Sequence, residues 1–162
     1  MSFDRTHPTG FDTGADSAAR SVRLAATVVG GTFLLVGVLG FVPGVTTNVD
    51  DLTFAGHESG AELLGIFHVS ILHNIVHLLF GVAGLAMART ASGATSYLIG
   101  GGAIYLVLAV YGAVIDQHSS ANFVPVNTAD NWLHLGLGVA MIGVGLIGLR
   151  ARPGTVGANR AA

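Results

Sequence analysis

The sequence predicts an all-α polytopic membrane protein, a bundle of four transmembrane helices built from two duplicated helix hairpins. Three observations support this prediction. The 162-residue chain is 51% hydrophobic and only 10% charged, it contains four long apolar spans, and one pattern of polar residues occurs twice. Soluble domains carry about 25% charged residues, so the composition alone favours the membrane class.

The apolar spans cover residues 24–42, 71–88, 97–115 and 132–149, and none contains Asp, Glu, Lys or Arg. A helix of that length reaches about 27 Å at 1.5 Å per residue, which is close to the thickness of the hydrocarbon core. We therefore predict a transmembrane domain over residues 21–150. Residues 1–20 and 151–162 are small, polar and rich in Gly or Pro, which predicts disordered cytoplasmic tails.

Charge is distributed unequally between the two ends of the predicted spans. All seven basic residues are Arg, and each precedes the first span, separates the second from the third, or follows the fourth. The other two connections contain only acidic charges: Asp50, Asp51, Glu58, Glu62, Asp116 and Asp130. The positive-inside rule then predicts that both termini are cytoplasmic.

Several functional classes are excluded or disfavoured by composition. The chain has no Cys, so thiol catalysis and thiolate metal sites are excluded, and its net charge of -2 gives no basic surface for nucleic acid. No motif of a soluble enzyme is present. The sequence favours a non-enzymatic structural or accessory component whose partners are the lipid bilayer and either further copies of the chain or a larger membrane complex.

The second and fourth spans resemble each other at a shift of 57 residues. "VSILHNIVHLLFGVA" aligns with "VNTADNWLHLGLGVA", and 7 of these 15 positions are identical. Asn, His and Gly at i, i+3 and i+7 lie on one stripe of a helix, where glycine permits close packing. We therefore predict that the second and fourth helices meet near the axis of the bundle. The predicted packing glycines are Gly81, Gly84 and Gly138, and the predicted interhelical polar cluster is Asn74, His77, Asn131, His134 and Asp130.

The histidines allow three hypotheses. The first is that they hydrogen-bond between helices and stabilise the packing, with Asp130 orienting one imidazole. The second is a carrier of haem b through His77 and His134, or of a divalent metal through His73, His77 and His134, because imidazole ligates both. The third is proton or ion translocation, because ionisable residues inside membranes often form relays.

The outer loop before the second span contains "SGAELLGIF", residues 59–67. Ser59 and Glu62 have the spacing of a capping box, and an apolar stretch follows them. This pattern predicts a short helix at the membrane surface. The ionisable candidates of this loop are expected at the hydrated rim: His57, Glu58, Glu62 and His68.

The runs "LLGIFHVSILHNIVHLLFGVAGLAM" and "NWLHLGLGVAMIGVGL" resemble a mainly actinobacterial family of membrane proteins, domain of unknown function 4383. The resemblance covers roughly residues 20–150, and its most specific part is the H-N-x-x-H-L-x-x-G core. It implies four spans and a bacterial membrane location, which we predict to be the inner membrane. It implies no activity and no catalytic residue.

Overall fold

The computed structural model describes residues 13–150, and within that range the chain is almost entirely helical. Four helices overlap the four predicted spans, which confirms the all-α fold class. Their bounds are α1 (Thr13–Leu39), α2 (Ile71–Met87), α3 (Ala91–Val114) and α4 (Thr128–Arg150).

Three of the helices are long and apolar enough to cross a membrane, over Gly14–Leu39, Ala91–Val114 and Thr128–Leu149. The remaining helix, α2, is also apolar but has only 17 residues, a length of about 25 Å. It begins at Ser70, whose side chain accepts a hydrogen bond from the backbone N–H of His73 at 3.1 Å. Thr90 caps α3 in the same way through Gly93 at 3.0 Å.

The first helix starts earlier than the composition predicts. α1 begins at Thr13, so residues 13–20 are helical although they fall in the predicted disordered tail 1–20. The segment is polar, but its alanines favour a helix, and the Arg20 side chain bonds the carbonyl of Asp16 one turn earlier at 3.4 Å. The rest of that predicted tail, residues 1–12, and the tail 151–162 lie outside the described residues.

The helices pack as two hairpins, α1 with α2 and α3 with α4, and the hairpins meet mainly through α1. α2 and α4 make only marginal contact with each other, so the prediction that they meet at the axis is wrong. The glycine stripes explain this arrangement. Gly81 of α2 packs on Gly30 of α1, and Gly138 of α4 packs on Gly102 of α3, so each stripe faces the other helix of its own hairpin.

The outer loop forms a small antiparallel sheet in the order β1 (Thr46–Thr47), β2 (Glu62–Leu63) and β3 (Phe67–His68). The predicted surface helix over residues 59–67 is therefore wrong. Ser59 does not cap a helix, because its hydroxyl donates to the carbonyl of Val69 at 2.5 Å. Leu64 and Gly65 both have left-handed φ, 57° and 67°, and so turn the chain between β2 and β3.

The two outer connections contact each other and form one cap over this end of the helices. Gly56 N–H donates to the carbonyl of Phe123 at 2.9 Å, and the Asn127 side chain donates to the carbonyl of Ile66 at 2.7 Å. At the opposite end, the Arg23 side chain donates to the carbonyl of Ala88 in the turn between α2 and α3, at 3.1 Å. Arg20, Arg23 and Arg89 therefore lie at the end of the helices opposite to the acidic cap.

Candidate functional site

The candidate site is a cluster of histidine and aromatic rings just beneath the cap. His73 and His77 lie one turn apart on α2, and their rings stack with centroids 4.3 Å apart and planes inclined by 9°. Nδ1 of His77 lies 3.0 Å from the carbonyl oxygen of His73. Because a carbonyl only accepts, Nδ1 carries the hydrogen and Nε2 is left as an acceptor. The Tyr105 hydroxyl donates to that Nε2 at 3.4 Å.

Two stacked aromatic rings lie at the centre of the cluster. Phe33 of α1 and Tyr105 of α3 stack with centroids 5.5 Å apart and planes inclined by 15°. Each presents its ring to one histidine: Phe33 meets His77 edge-on at 5.4 Å, and Tyr105 meets His134 edge-on at 4.9 Å. The two histidines of the repeated pattern are thus joined through this aromatic pair.

His134 differs from His77 in its hydrogen bonding. Only 4% of its surface is exposed, and its buried Nδ1 has no hydrogen-bond partner among residues 13–150. A buried polar atom without a partner costs about 1–3 kcal/mol. His134 is therefore the one ring of the repeated pair that the described chain leaves unsatisfied.

A pocket of about 230 Å³ opens beside the rings, between α2 and α3. Its polar residues are His73, His77, Tyr105 and His134, and its surface is otherwise almost entirely carbon. The apolar walls come from α2, α3 and the second outer connection: Leu72, Val76, Phe80, Ile104, Leu108 and Val124. Val76 and Ile104 are 41% and 46% exposed on the outer surface of the helices. The pocket therefore opens sideways, on the apolar outer surface of the helices.

This geometry bears on the predicted haem and metal ligands. His77 and His134 do not face each other across an open space, because Tyr105 contacts both rings. The predicted metal set His73, His77 and His134 borders one pocket, but the described residues contain no group of three or more His, Cys, Asp or Glu placed to hold a metal ion. Stacking is the physical reason, since the parallel rings of His73 and His77 do not converge their nitrogens on one point.

Asp130 has a different role from the predicted one. It does not orient an imidazole: its Oδ2 accepts the backbone N–H of Asn127 at 2.9 Å and that of His68 at 3.2 Å. Asn127 reciprocates by accepting the N–H of Asp130 at 2.9 Å, which is the geometry of a capping box. Asp130 therefore caps the N-terminus of α4 and links β3 to this helix through the backbone N–H of His68. The His68 ring bonds Glu62 at 3.1 Å within the cap.

The two asparagines of the predicted polar cluster lie in separate hairpins. Asn74 packs against Gly40, immediately after α1, and Asn131 packs against Gly112 of α3. Neither Oδ1 has a conventional hydrogen-bond partner in the described chain, and each lies where a Cβ on the facing glycine would be. Weak hydrogen bonds from glycine Cα–H groups, of about 0.5–1 kcal/mol each, are the compensation that such a contact can offer.

The sequence analysis missed Phe33 and Tyr105, although a signal for them was present. "GGTFLLVGVLG" of the first span aligns with "GAIYLVLAVYG" of the third at a shift of 72 residues. The shared positions are Gly30 with Gly102, Leu34 with Leu106, Val38 with Val110, and Gly40 with Gly112. Phe33 aligns with Tyr105 in this register, so the ring pair is visible once the second alignment is made.

The comparison with protein families returns one match, described as domain of unknown function (DUF4383), over residues 23–147. That region includes α2, α3, the connections between the helices and most of α1 and α4. The chain belongs to this family. The membership confirms the resemblance carried by the histidine-containing runs, and it assigns no activity. Comparisons with curated proteins and with solved structures give no match.

Proposed function

We propose that this DUF4383 member is a non-enzymatic structural or accessory component of the bacterial cytoplasmic membrane, a bundle of four transmembrane helices with both termini inside. The observation that carries this proposal is how the buried polar residues are used. Asn74 and Asn131 pack against glycines of the neighbouring helix or its end, and Asp130 caps the start of α4. The ring that contacts both His77 and His134 is the chain's own Tyr105. Packing and positioning account for these contacts.

The glycine contacts support a duplicated hairpin as the origin of the bundle. A Cβ on Gly30 would meet Gly81 O at 3.1 Å and Leu85 N at 3.0 Å, and one on Gly102 would meet Gly138 O at 2.8 Å and Ile142 N at 3.1 Å. These are equivalent atoms under the 72- and 57-residue shifts. A parallel duplication has its pseudo-two-fold axis along the membrane normal, where the Phe33–Tyr105 stack would lie.

The proposal is tested by the optical spectrum and metal content of the purified protein. We expect no Soret band and no stoichiometric metal, because the chain's own aromatic side chain separates the two candidate haem ligands. A Soret band lost in His77→Ala would refute the proposal and favour the haem carrier. A stoichiometric metal would favour the metal carrier in the same way. Pumping of protons by reconstituted vesicles under an applied potential would favour translocation instead.

The proposed orientation needs a separate test, and the exposed cap residues suggest where to place labels. Glu58 and Ser120 are exposed in the two outer connections, and Ser92 is exposed beside the inner turn. The chain contains no native Cys, so single cysteines report cleanly. In intact spheroplasts a membrane-impermeant thiol reagent should label Glu58→Cys and Ser120→Cys but not Ser92→Cys. The opposite pattern would reverse the proposed orientation.

A further inference from the structure

We propose that the pocket between α2 and α3 binds a lipid-soluble molecule with an uncharged, ring-sized head that carries a carbonyl or hydroxyl group, and that His134 recognises that group. This inference goes beyond a structural role, because it assigns a ligand site. It depends on the cavity, on the unpaired buried histidine and on the absence of charge from the pocket wall.

The size and the opening of the pocket determine how much of a ligand it admits. An apolar cavity of about 150 Å³ accommodates benzene, so the 230 Å³ available here suits one substituted ring or a compact fused pair. Val76 and Ile104 flank the opening and are partly exposed, so a ligand enters from the bilayer and any hydrocarbon tail remains among the lipids.

The hydrogen-bonding groups determine the chemistry of the head. His77 is satisfied on both nitrogens, by the His73 carbonyl and the Tyr105 hydroxyl. No described carboxylate pairs with the His134 ring. Its buried Nδ1 has no hydrogen-bond partner among the described residues. A neutral imidazole offers one donor and one acceptor, and the Tyr105 oxygen keeps acceptor capacity after donating to His77. Together they match a carbonyl or a hydroxyl.

The pocket wall excludes a charged head. No Asp, Glu, Lys or Arg lines it, and the carboxylates of Asp130 and Glu62 are engaged in the cap. An ionised phosphate or carboxylate would lose its water without gaining an opposite charge, which is strongly unfavourable. The ligand is therefore a neutral amphiphile rather than a phospholipid headgroup or a fatty acid anion.

The experiment measures binding of three probes to the full chain in phosphatidylcholine nanodiscs, by equilibrium dialysis against empty nanodiscs to subtract partitioning. The probes share a fused ring system: menadione carries carbonyls, methylnaphthalene carries no polar group, and naphthoate is anionic. The chain has no Cys, so menadione cannot alkylate a thiol. We expect saturable binding of menadione in preference to both other probes.

Two kinds of variant separate the pocket from the polar contact. Ile104→Trp fills the pocket from its exposed edge and should abolish saturable binding. Val107→Trp, one turn along α3 and 67% exposed, is the matched control and should bind as the parent does. His134→Phe keeps a ring but removes both nitrogens. It should weaken the binding of menadione by about 2- to 10-fold, the equivalent of one hydrogen bond, and leave the binding of methylnaphthalene unchanged.

The inference is overturned if Ile104→Trp binds menadione as well as Val107→Trp does, or if no probe binds saturably. Equal affinity for menadione and methylnaphthalene, unchanged in His134→Phe, overturns the assignment of a polar head and of His134. A preference for naphthoate overturns the requirement for a neutral ligand. None of these results depends on the haem and metal assays, so the inference and the proposed function can fail independently.

Discussion

Replacing Gly102 with Ala tests whether direct backbone contact between α3 and α4 holds the second hairpin together. The added Cβ would lie 2.8 Å from Gly138 O, 2.8 Å from Ile142 Cγ1 and 3.1 Å from Ile142 N. Two of these three atoms belong to the backbone of α4, so no side-chain rotation relieves the overlap. The helices must move apart, and they lose packing along their contact.

The expected cost follows from the behaviour of overpacked cores. Forcing one extra carbon into a well-packed site destabilises by about 1–3 kcal/mol. The change from Gly to Ala also favours a helix by about 0.5–1 kcal/mol, which would partly mask that cost. Gly100 removes this ambiguity, because it lies on the same helix and a Cβ there meets nothing within 4 Å. The propensity gain cancels in the difference between Gly102→Ala and Gly100→Ala.

We expect Gly102→Ala to be less stable than Gly100→Ala by about 1–3 kcal/mol, measured by reversible unfolding in mixed micelles with increasing dodecyl sulfate and followed by circular dichroism. The first hairpin provides a second pair, Gly30→Ala and Gly31→Ala. A Cβ added at Gly30 would meet its nearest atoms at 3.0–3.1 Å, and one at Gly31 would meet nothing within 4 Å. The overlap at Gly30 is milder than at Gly102, so the stability difference between Gly30→Ala and Gly31→Ala should be smaller. Equal stability of Gly102→Ala and Gly100→Ala would refute the close packing argued here.

Other changes test the ring cluster and the cap by the same unfolding assay. Tyr105→Phe should cost about 1–2 kcal/mol, because it leaves a buried nitrogen of the neighbouring histidine without its donor; an unchanged midpoint would contradict that bond. Asp130→Ala should cost about 1–2 kcal/mol through loss of the cap of α4, whereas the exposed Asp50→Ala should be nearly neutral. Glu62→Gln should change stability by less than about 1 kcal/mol, since the side chains of Glu62 and its partner His68 are about one-third exposed. Leu64→Asn should stabilise by up to about 1 kcal/mol, since its left-handed φ of 57° disfavours a leucine; a loss would show that leucine packing dominates.

Local signals in the sequence predicted the helices well. An apolar run of 18 or 19 residues can satisfy its backbone in a bilayer only as a helix, so each predicted span overlaps an observed one. The start of α1 was missed because residues 13–20 are polar, and hydropathy does not report helix formation outside the apolar region. The cap was missed for another reason. The Ser59 and Glu62 pattern is local, but Val69 and His68 are the groups that satisfy those two side chains.

The arrangement of the helices needed more than one local pattern. The 57-residue alignment points to the stripes that carry Gly81 and Gly138, but it does not state which helix each stripe faces. Matching stripes suggested that α2 and α4 meet, whereas the glycines that complement them are on α1 and α3. The sequence contained this information in the 72-residue alignment. A repeat recognised in the sequence therefore does not by itself determine which helices pack together.

On the proposed duplication, the two hairpins differ in chemistry beside the pocket. His77 and His134 are equivalent, as are Phe33 and Tyr105, yet only Tyr105 carries a hydroxyl, and it donates to His77. Phe33 has no hydroxyl to offer His134 in return. The Nδ1 of His77 donates to the main-chain carbonyl one turn earlier, whereas the Nδ1 of His134 makes no hydrogen bond among the described residues. One substitution, Phe33 in the place of Tyr105, thus removes a hydroxyl donor on the side of His134, whose Nδ1 stays unpaired while both nitrogens of His77 are satisfied. Packing alone requires no such asymmetry, because two symmetric hairpins would fill the same space. The unpaired ring beside an apolar opening is what a binding site for a neutral ligand requires.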